Sequence, residues 1–123
     1  MGLSTSGEAD VLNALLTGRY ISLHTGDPGN TGASEVAGGA YVRQAYGAYT
    51  ISGGNPSEAS NDATIEYPVC TVDWGIVTHF GIWTASTAGT FKGGKVLNAS
   101  KTVTVDDVFR FLAGTLVVTT DDV

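Results

Sequence analysis

Two histidines, one cysteine and two pairs of adjacent aspartates are the side chains on which catalysis or metal binding would have to rest. His24 opens the run His24-Thr25-Gly26-Asp27, which places an aspartate close enough in sequence to orient an imidazole. Hydrolysis would also need a nucleophile and an oxyanion donor within reach of that ring. The chain has no Gly-x-Ser-x-Gly elbow, and Cys70 lies in no activating signature. His24 therefore reads as a turn-stabilising residue. His79 reads as a core or interface histidine satisfied by one hydrogen bond, with metal ligation the competing role. Asp106-Asp107 and Asp121-Asp122 belong to no Asp-x-Asp-x-Asp-Gly calcium loop and read as solvated turn and tail carboxylates. The glycines of 26–32 lack the Gly-Lys-Ser/Thr ending of a phosphate-binding loop. No catalytic, cofactor-binding or metal-binding residue is assigned, and no cofactor is called for. The chain is expected not to be an enzyme; a small hydrolase built on His24 or His79 is the enzymatic alternative.

Aromatic residues offer a different chemistry. Trp74, Trp83, Tyr41, Tyr46 and Tyr49 would form a sugar-stacking surface if they were exposed on one sheet. The competing reading makes Trp74 and Trp83 core or interface anchors, where a buried ring keeps one polar handle.

Short strands must position all of these groups. Asp73-Trp74-Gly75 forms a corner before a strand-prone run, Val77–Thr84. With side chains alternating at period two, Phe80 and Ile82 share one face while Val77, His79 and Trp83 share the other. Both faces carry large groups, so the strand needs cover on both sides from a second sheet, a helix or another subunit. Upstream, Thr5 and Glu8 have capping-box spacing, and Leu12, Leu15 and Leu16 recur at helical spacing before Gly18. This predicts one helix over about 8–17, too short to be stable undocked. Further strands are expected at 19–25, 41–44, 48–52, 63–67, 90–92, 95–98, 102–105, 108–112 and 115–119. Turn-rich connections run through 26–39 and Gly53-Gly54-Asn55-Pro56. Strands this short at near-regular spacing argue for an antiparallel sandwich or jelly roll.

Composition narrows the partners. A chain of 123 residues fits one domain with a real core. Charged residues make up 15% of it, against the roughly 25% usual for soluble domains, which suits a surface partly buried in an assembly. Net charge is −6 and the six basic residues form no stripe, so neither nucleic acid nor an anionic membrane is an expected partner. The lone cysteine allows no intrachain disulfide and reads as a buried thiol. The first seven residues carry no signal-peptide pattern, so synthesis in a cytoplasm is expected.

Three longer patterns stand out: Leu23-His24-Thr25-Gly26-Asp27-Pro28-Gly29, then Glu35-Val36-x-Gly38-Gly39-x-Tyr41-x-Arg43-Gln44, then Trp74-Gly75-x-Val77-Thr78-His79-Phe80-Gly81-Ile82-Trp83. With Ser100-Lys101-Thr102-Val103, Phe109, Ala113-Gly114 and Leu116-x-Val118-Thr119, they resemble a family of small bacteriophage virion structural proteins. These are the tail-fibre-like or minor structural proteins of tailed phages. The resemblance spans nearly the whole chain after the first helix. It implies an all-β, non-enzymatic particle component that forms a homotrimer, with no catalytic residues to carry over.

The expected fold is thus all-β, an antiparallel β-sandwich or jelly roll with one short N-terminal helix. Residues 1–18 are expected to be a docking segment and 19–123 the β-sandwich domain. The expected role is structural, on the exterior of a virion assembled in the host cytoplasm, as capsid decoration (cement) or tail appendage. Its partners would be further copies of itself and the major capsid protein or tail proteins. Leu12, Leu15, Leu16, Trp74, His79 and Trp83 are the expected interface residues, and the 26–39 loop a partner-facing or solvent-facing tip. The alternative function is a carbohydrate-binding module that holds host surface polysaccharide through Tyr46, Tyr49 and Trp74.

Overall fold

A computed structural model describes residues 3–53 and 57–120. The expected turn at Gly54-Asn55-Pro56, the carboxylates Asp121 and Asp122, and the first two residues of the docking segment lie outside these.

Helix α1 spans Thr5–Leu16. Ser4 caps it from extended backbone, its Oγ accepting the Gly7 N–H at 3.1 Å, so the cap sits one residue earlier than the Thr5–Glu8 spacing suggested. Glu8 is thereby free for another task. Its buried carboxylate accepts the Ser57 N–H at 3.1 Å and the Ser57 hydroxyl at 2.8 Å, with the Thr120 hydroxyl at 3.4 Å. Leu12 and Leu16 are both 0% exposed and belong to the same core cluster as the strand residues. The apolar stripe of the helix therefore packs on its own chain's core.

Among the described residues nine strands follow: β1 Tyr20–His24, β2 Gln44–Ala45, β3 Tyr49–Ser52, β4 Glu58–Asn61, β5 Ile65–Glu66, β6 Gly75–Trp83, β7 Phe91–Val103, β8 Arg110–Phe111 and β9 Val117–Thr119. Every pairing among them is antiparallel. A four-stranded sheet in the order β2-β1-β6-β7, a three-stranded sheet β3-β4-β9 and the pair β5-β8 pack in a sandwich-like arrangement. The fold is all-β with one short helix, as the patterning predicts.

The differences have local causes. β4 is too polar to stand out, yet its Ala59 is fully buried. Asn61 beside it donates to the carbonyls of Ala63 and Leu112 and accepts the Leu116 N–H. The strands expected at 90–92 and 95–98 and the first half of that at 102–105 fuse into the single strand β7, passing straight through Gly93-Gly94. At Gly94 a Cβ would lie 2.6 Å from the Phe80 carbonyl oxygen and 2.7 Å from Pro28 Cγ. Glycine here admits a close crossing rather than a turn.

Strict alternation also fails on β6. Val77 lies in the core with Phe80 and Ile82, not opposite them. Val77 pairs with Lys101, but His79 pairs with Val96, so Thr78 alone faces four residues of β7. Such a bulge shifts the phase of the side chains on either side of it.

Candidate functional site

The second face of the central sheet carries a closed network of polar groups. Ser22 Oγ and His24 Nε2 are 2.6 Å apart, and His24 Nδ1 lies 2.7 Å from the Ala33 carbonyl. A carbonyl only accepts, so Nδ1 bears the proton and Nε2 takes the hydrogen of Ser22. Trp83 Nε1 then donates to Ser22 Oγ at 2.9 Å, which completes a one-way chain from indole to serine to histidine to backbone. Burial pulls the His24 imidazole below its ordinary value of 6.5, outweighing the upward pull of the Ala33 bond, and this favours the neutral ring that the chain requires.

A second cluster locks the loop over this face. Arg43 grips Glu35 with two parallel bonds, Nε to Oε2 at 2.8 Å and Nη2 to Oε1 at 2.9 Å. Its Nη1 donates to the carbonyls of Ala85 and Ala88 at 3.0 and 2.7 Å. The guanidinium plane sits 3.7 Å from the Trp83 ring centroid, a cation–π contact. Tyr41 donates to Glu35 at 2.7 Å and accepts the Leu23 N–H at 3.0 Å. Burial would raise the Glu35 carboxyl, but its bonds to Arg43 and Tyr41 and the Arg43 charge hold it below the ordinary 4.5. Burial, with Glu35 beside it, pushes the Tyr41 phenol up.

A serine 2.6 Å from a histidine has the spacing of a nucleophile and its base, but here both side chains are fully buried. The serine oxygen is engaged by Trp83, and a backbone carbonyl, not a carboxylate, orients the ring. Asp27, close enough in sequence to orient His24, instead accepts the Gly29 N–H at 2.9 Å. The arrangement is a closed, buried polar seam.

The expected interface residues occupy different environments. Trp83 is enclosed by Arg43, by Phe91 with ring centroids 5.3 Å apart, and by Gly32, where a Cβ would stand 2.4 Å from the indole. The chain's own 26–34 segment thus covers part of this face, and Trp83 stays half-buried. Trp74 is buried and donates to the Gly39 carbonyl at 3.1 Å. His79 is half-buried with its Nδ1 2.8 Å from Thr78 Oγ1, and Leu15 packs at the rim of the core. The sugar-stacking surface does not form, because Tyr46 is buried with its hydroxyl on the Leu116 carbonyl, and Trp74 is in the core. Tyr49 is half-buried and bonds Asn13 and Thr17 of the helix region.

Two other surfaces are open. An open groove of about 660 Å³ runs between the outer edge of β7 and β9, with β8 along it. Lys95, Lys101, Arg110 and Glu58 line it, Arg110 paired with Glu66 at 3.0 Å, and Val96 stands 56% exposed on its β7 side. At one end of the molecule, segment 69–76 is tied to 102–107 by bonds from Trp74 to Val103, from Asp106 to Cys70 and from Val105 to the Asp73 carboxylate. Val69, Val72, Ile76 and Val105 are exposed there, Val72 the most at 59%. Both features escaped the sequence reading: the groove is made by edges of three different sheets, and the four aliphatic residues sit in no run.

Comparison with known proteins decides the family. The family described as Podophage GP4 fiber I protein gp80 matches residues 2–119. The chain belongs to this gp80 fibre family. It is accordingly a phage structural protein of the fibre type, associated with the virion, as the resemblance implied. No curated protein matches the chain. For a gp80-family member, a buried Ser-His pair and a guanidinium stacked on tryptophan are parts of a rigid subunit, which suits a structural role.

Proposed function

We propose that this chain is a homotrimeric subunit of a phage tail appendage, displayed on the particle exterior and assembled in the host cytoplasm. Its job is mechanical: each subunit is made rigid internally, and contacts between copies and with tail proteins transmit load and position. The family match over residues 2–119 carries this reading and favours a tail appendage over a capsid cement protein. The surface supports it too. Low charge and about half-exposed aliphatic residues at Val69, Val72, Ile76 and Val105 suit contacts formed on assembly. His79, half-buried beside the bulge, and Leu15 remain candidates for the rim of such contacts. Light scattering on the purified chain tests the reading. A particle of three times 12.6 kDa is expected, and a stable monomer at micromolar concentration would refute the trimer.

A further inference from the structure

The groove beside β7 is walled by backbone edges. Residues 95–101 line it consecutively, and so do 109–111 and 115–117. A sheet face would contribute alternate residues, whereas an edge presents successive ones. Among the described residues β7 borders its sheet and pairs with β6 alone, and β9 borders the second sheet and pairs with β4 alone. Every second residue of such an edge turns its N–H and C=O away from the ladder. The register skip in β7 adds to this: residues 97–100 stand between Val96, opposite His79, and Lys101, opposite Val77, with only Thr78 across from them. Two sheet edges thus flank one cleft.

Charge gives the groove no single character. Arg110 pairs with Glu66 at 3.0 Å, and Glu58 brings a carboxylate to the wall. Lys101 bends back onto its own chain, its Nζ donating to the Val108 carbonyl at 3.3 Å and lying 5.6 Å from the Phe109 ring centroid. What the groove offers is main-chain hydrogen bonding along its walls and an apolar floor of Phe80, Phe109, Phe111 and Leu116, with Val96 exposed at the rim. An added β-strand uses that combination, because its backbone joins the edge while its alternate side chains enter the floor.

We propose that the groove is a strand-addition site, which takes an extended segment of a different polypeptide with apolar residues at alternate positions. Lying between β7 and β9, the added strand pairs with at least one of these edges and closes the gap between the two sheets. A second copy of this chain is a poor donor, because its strands are committed to their own sheets. Its longer connections are pinned as well: 26–43 by the Ala33, Val36 and Tyr41 amides, 67–74 by those of Cys70 and Thr71, and 104–109 by that of Asp107. No described segment of strand length is left extended and unpaired, so the strand comes from outside the chain. This contact goes beyond the homotrimer reading and does not depend on it.

The probe is a hexapeptide of alternating threonine and valine, blocked at both ends and added to the full chain. Amide shifts by NMR and slowed hydrogen–deuterium exchange are expected, confined to 95–101 and 115–119. Two N-methylated forms of the peptide, one for each of its edges, keep every side chain but lose the donors of that edge. At least one should bind roughly tenfold more weakly or worse. Ala99→Pro, in the stretch of β7 without a partner on β6, obstructs the edge and should weaken the unmodified peptide to the same degree. The N-methylated peptides carry the test alone should that variant fail to fold by circular dichroism. No shift at millimolar peptide, or equal binding of all three peptides, overturns the site. Exchange at 95–101 that slows without peptide as the protein concentration rises assigns the groove to a second copy and overturns the foreign donor. Shifts at these amides with heparin but not with the peptide assign it to a polyanion and overturn the proposal. A chain that is monomeric by light scattering yet binds the peptide in this way removes the homotrimer alone.

Discussion

Gly81→Ala is the sharpest probe of the buried seam. Gly81 pairs with Ser22 across the sheet, and a Cβ there would stand 2.5 Å from Ser22 Oγ, 2.7 Å from His24 Nε2 and 2.9 Å from Phe91 Cε1. Its backbone is not in the left-handed region, so only lack of room opposes a side chain. Forcing a methyl into a packed interior costs about 1–3 kcal/mol. Moving Ser22 or His24 off its partner adds about 1–3 kcal/mol for a buried polar group left unsatisfied. We therefore expect a loss of about 2–6 kcal/mol and, at roughly 4 °C per kcal/mol for a domain of this size, a fall in melting temperature of roughly 8–24 °C. Thermal melts followed by tryptophan fluorescence report on it directly, since Trp83 belongs to the seam. Adding Ser22→Ala removes the nearest clashing atom, so the double variant should be less destabilised than the sum of the singles by about 0.5 kcal/mol or more. A Gly81→Ala protein within about 0.5 kcal/mol of wild type would show that the seam has slack, and the argument for a rigid, closed Ser22-His24-Trp83 chain would fail.

Two further outcomes follow from the same structure. Leu12→Ala should cost about 2–5 kcal/mol in denaturant unfolding, because Leu12 is in the common core; a change near zero would show that α1 does not hold the core together. Stability should also fall as pH drops. The His24 value is lowered from 6.5 in the fold, so below 6.5 the unfolded chain takes up the proton first and stability is lost down to the folded value. Glu35, lowered from 4.5, acts in the same direction below 4.5. His24→Gln should abolish the upper of these two phases in a melting-temperature profile, and an unchanged profile would mean that another group governs it.

Strand content, the single helix and the absence of a catalytic motif are properties of residue type and local spacing, and they could be read without a structure. Leu12, Leu15 and Leu16 at helical spacing require a helix that docks, and Gly18 stops it. The period-two pattern through Phe80 and Ile82 likewise requires a strand with one core face. Longer motifs such as Glu35-Val36 through Arg43-Gln44 carried the family resemblance. What covers each face was not legible. Packing of Gly32, Arg43 and Phe91 against the half-buried Trp83 joins residues up to 59 positions apart, since 91 − 32 = 59. Asp27 was the nearer partner in sequence for His24, yet Ala33 won because the turn brings its carbonyl to Nδ1.

Local spacing is governed by backbone geometry, which acts within a few residues, and so the one-dimensional order of the chain was enough to specify its helix, its strands and its class. Closure of those strands over one another is governed by contacts between distant segments and by the four-residue bulge in β7, which changes the phase of β6. The tertiary structure alone therefore decided that the helix and the 26–34 loop serve as the chain's own covers. It alone gathered the scattered lysines and arginine into a groove, because sheet edges become neighbours only when the sheets have packed.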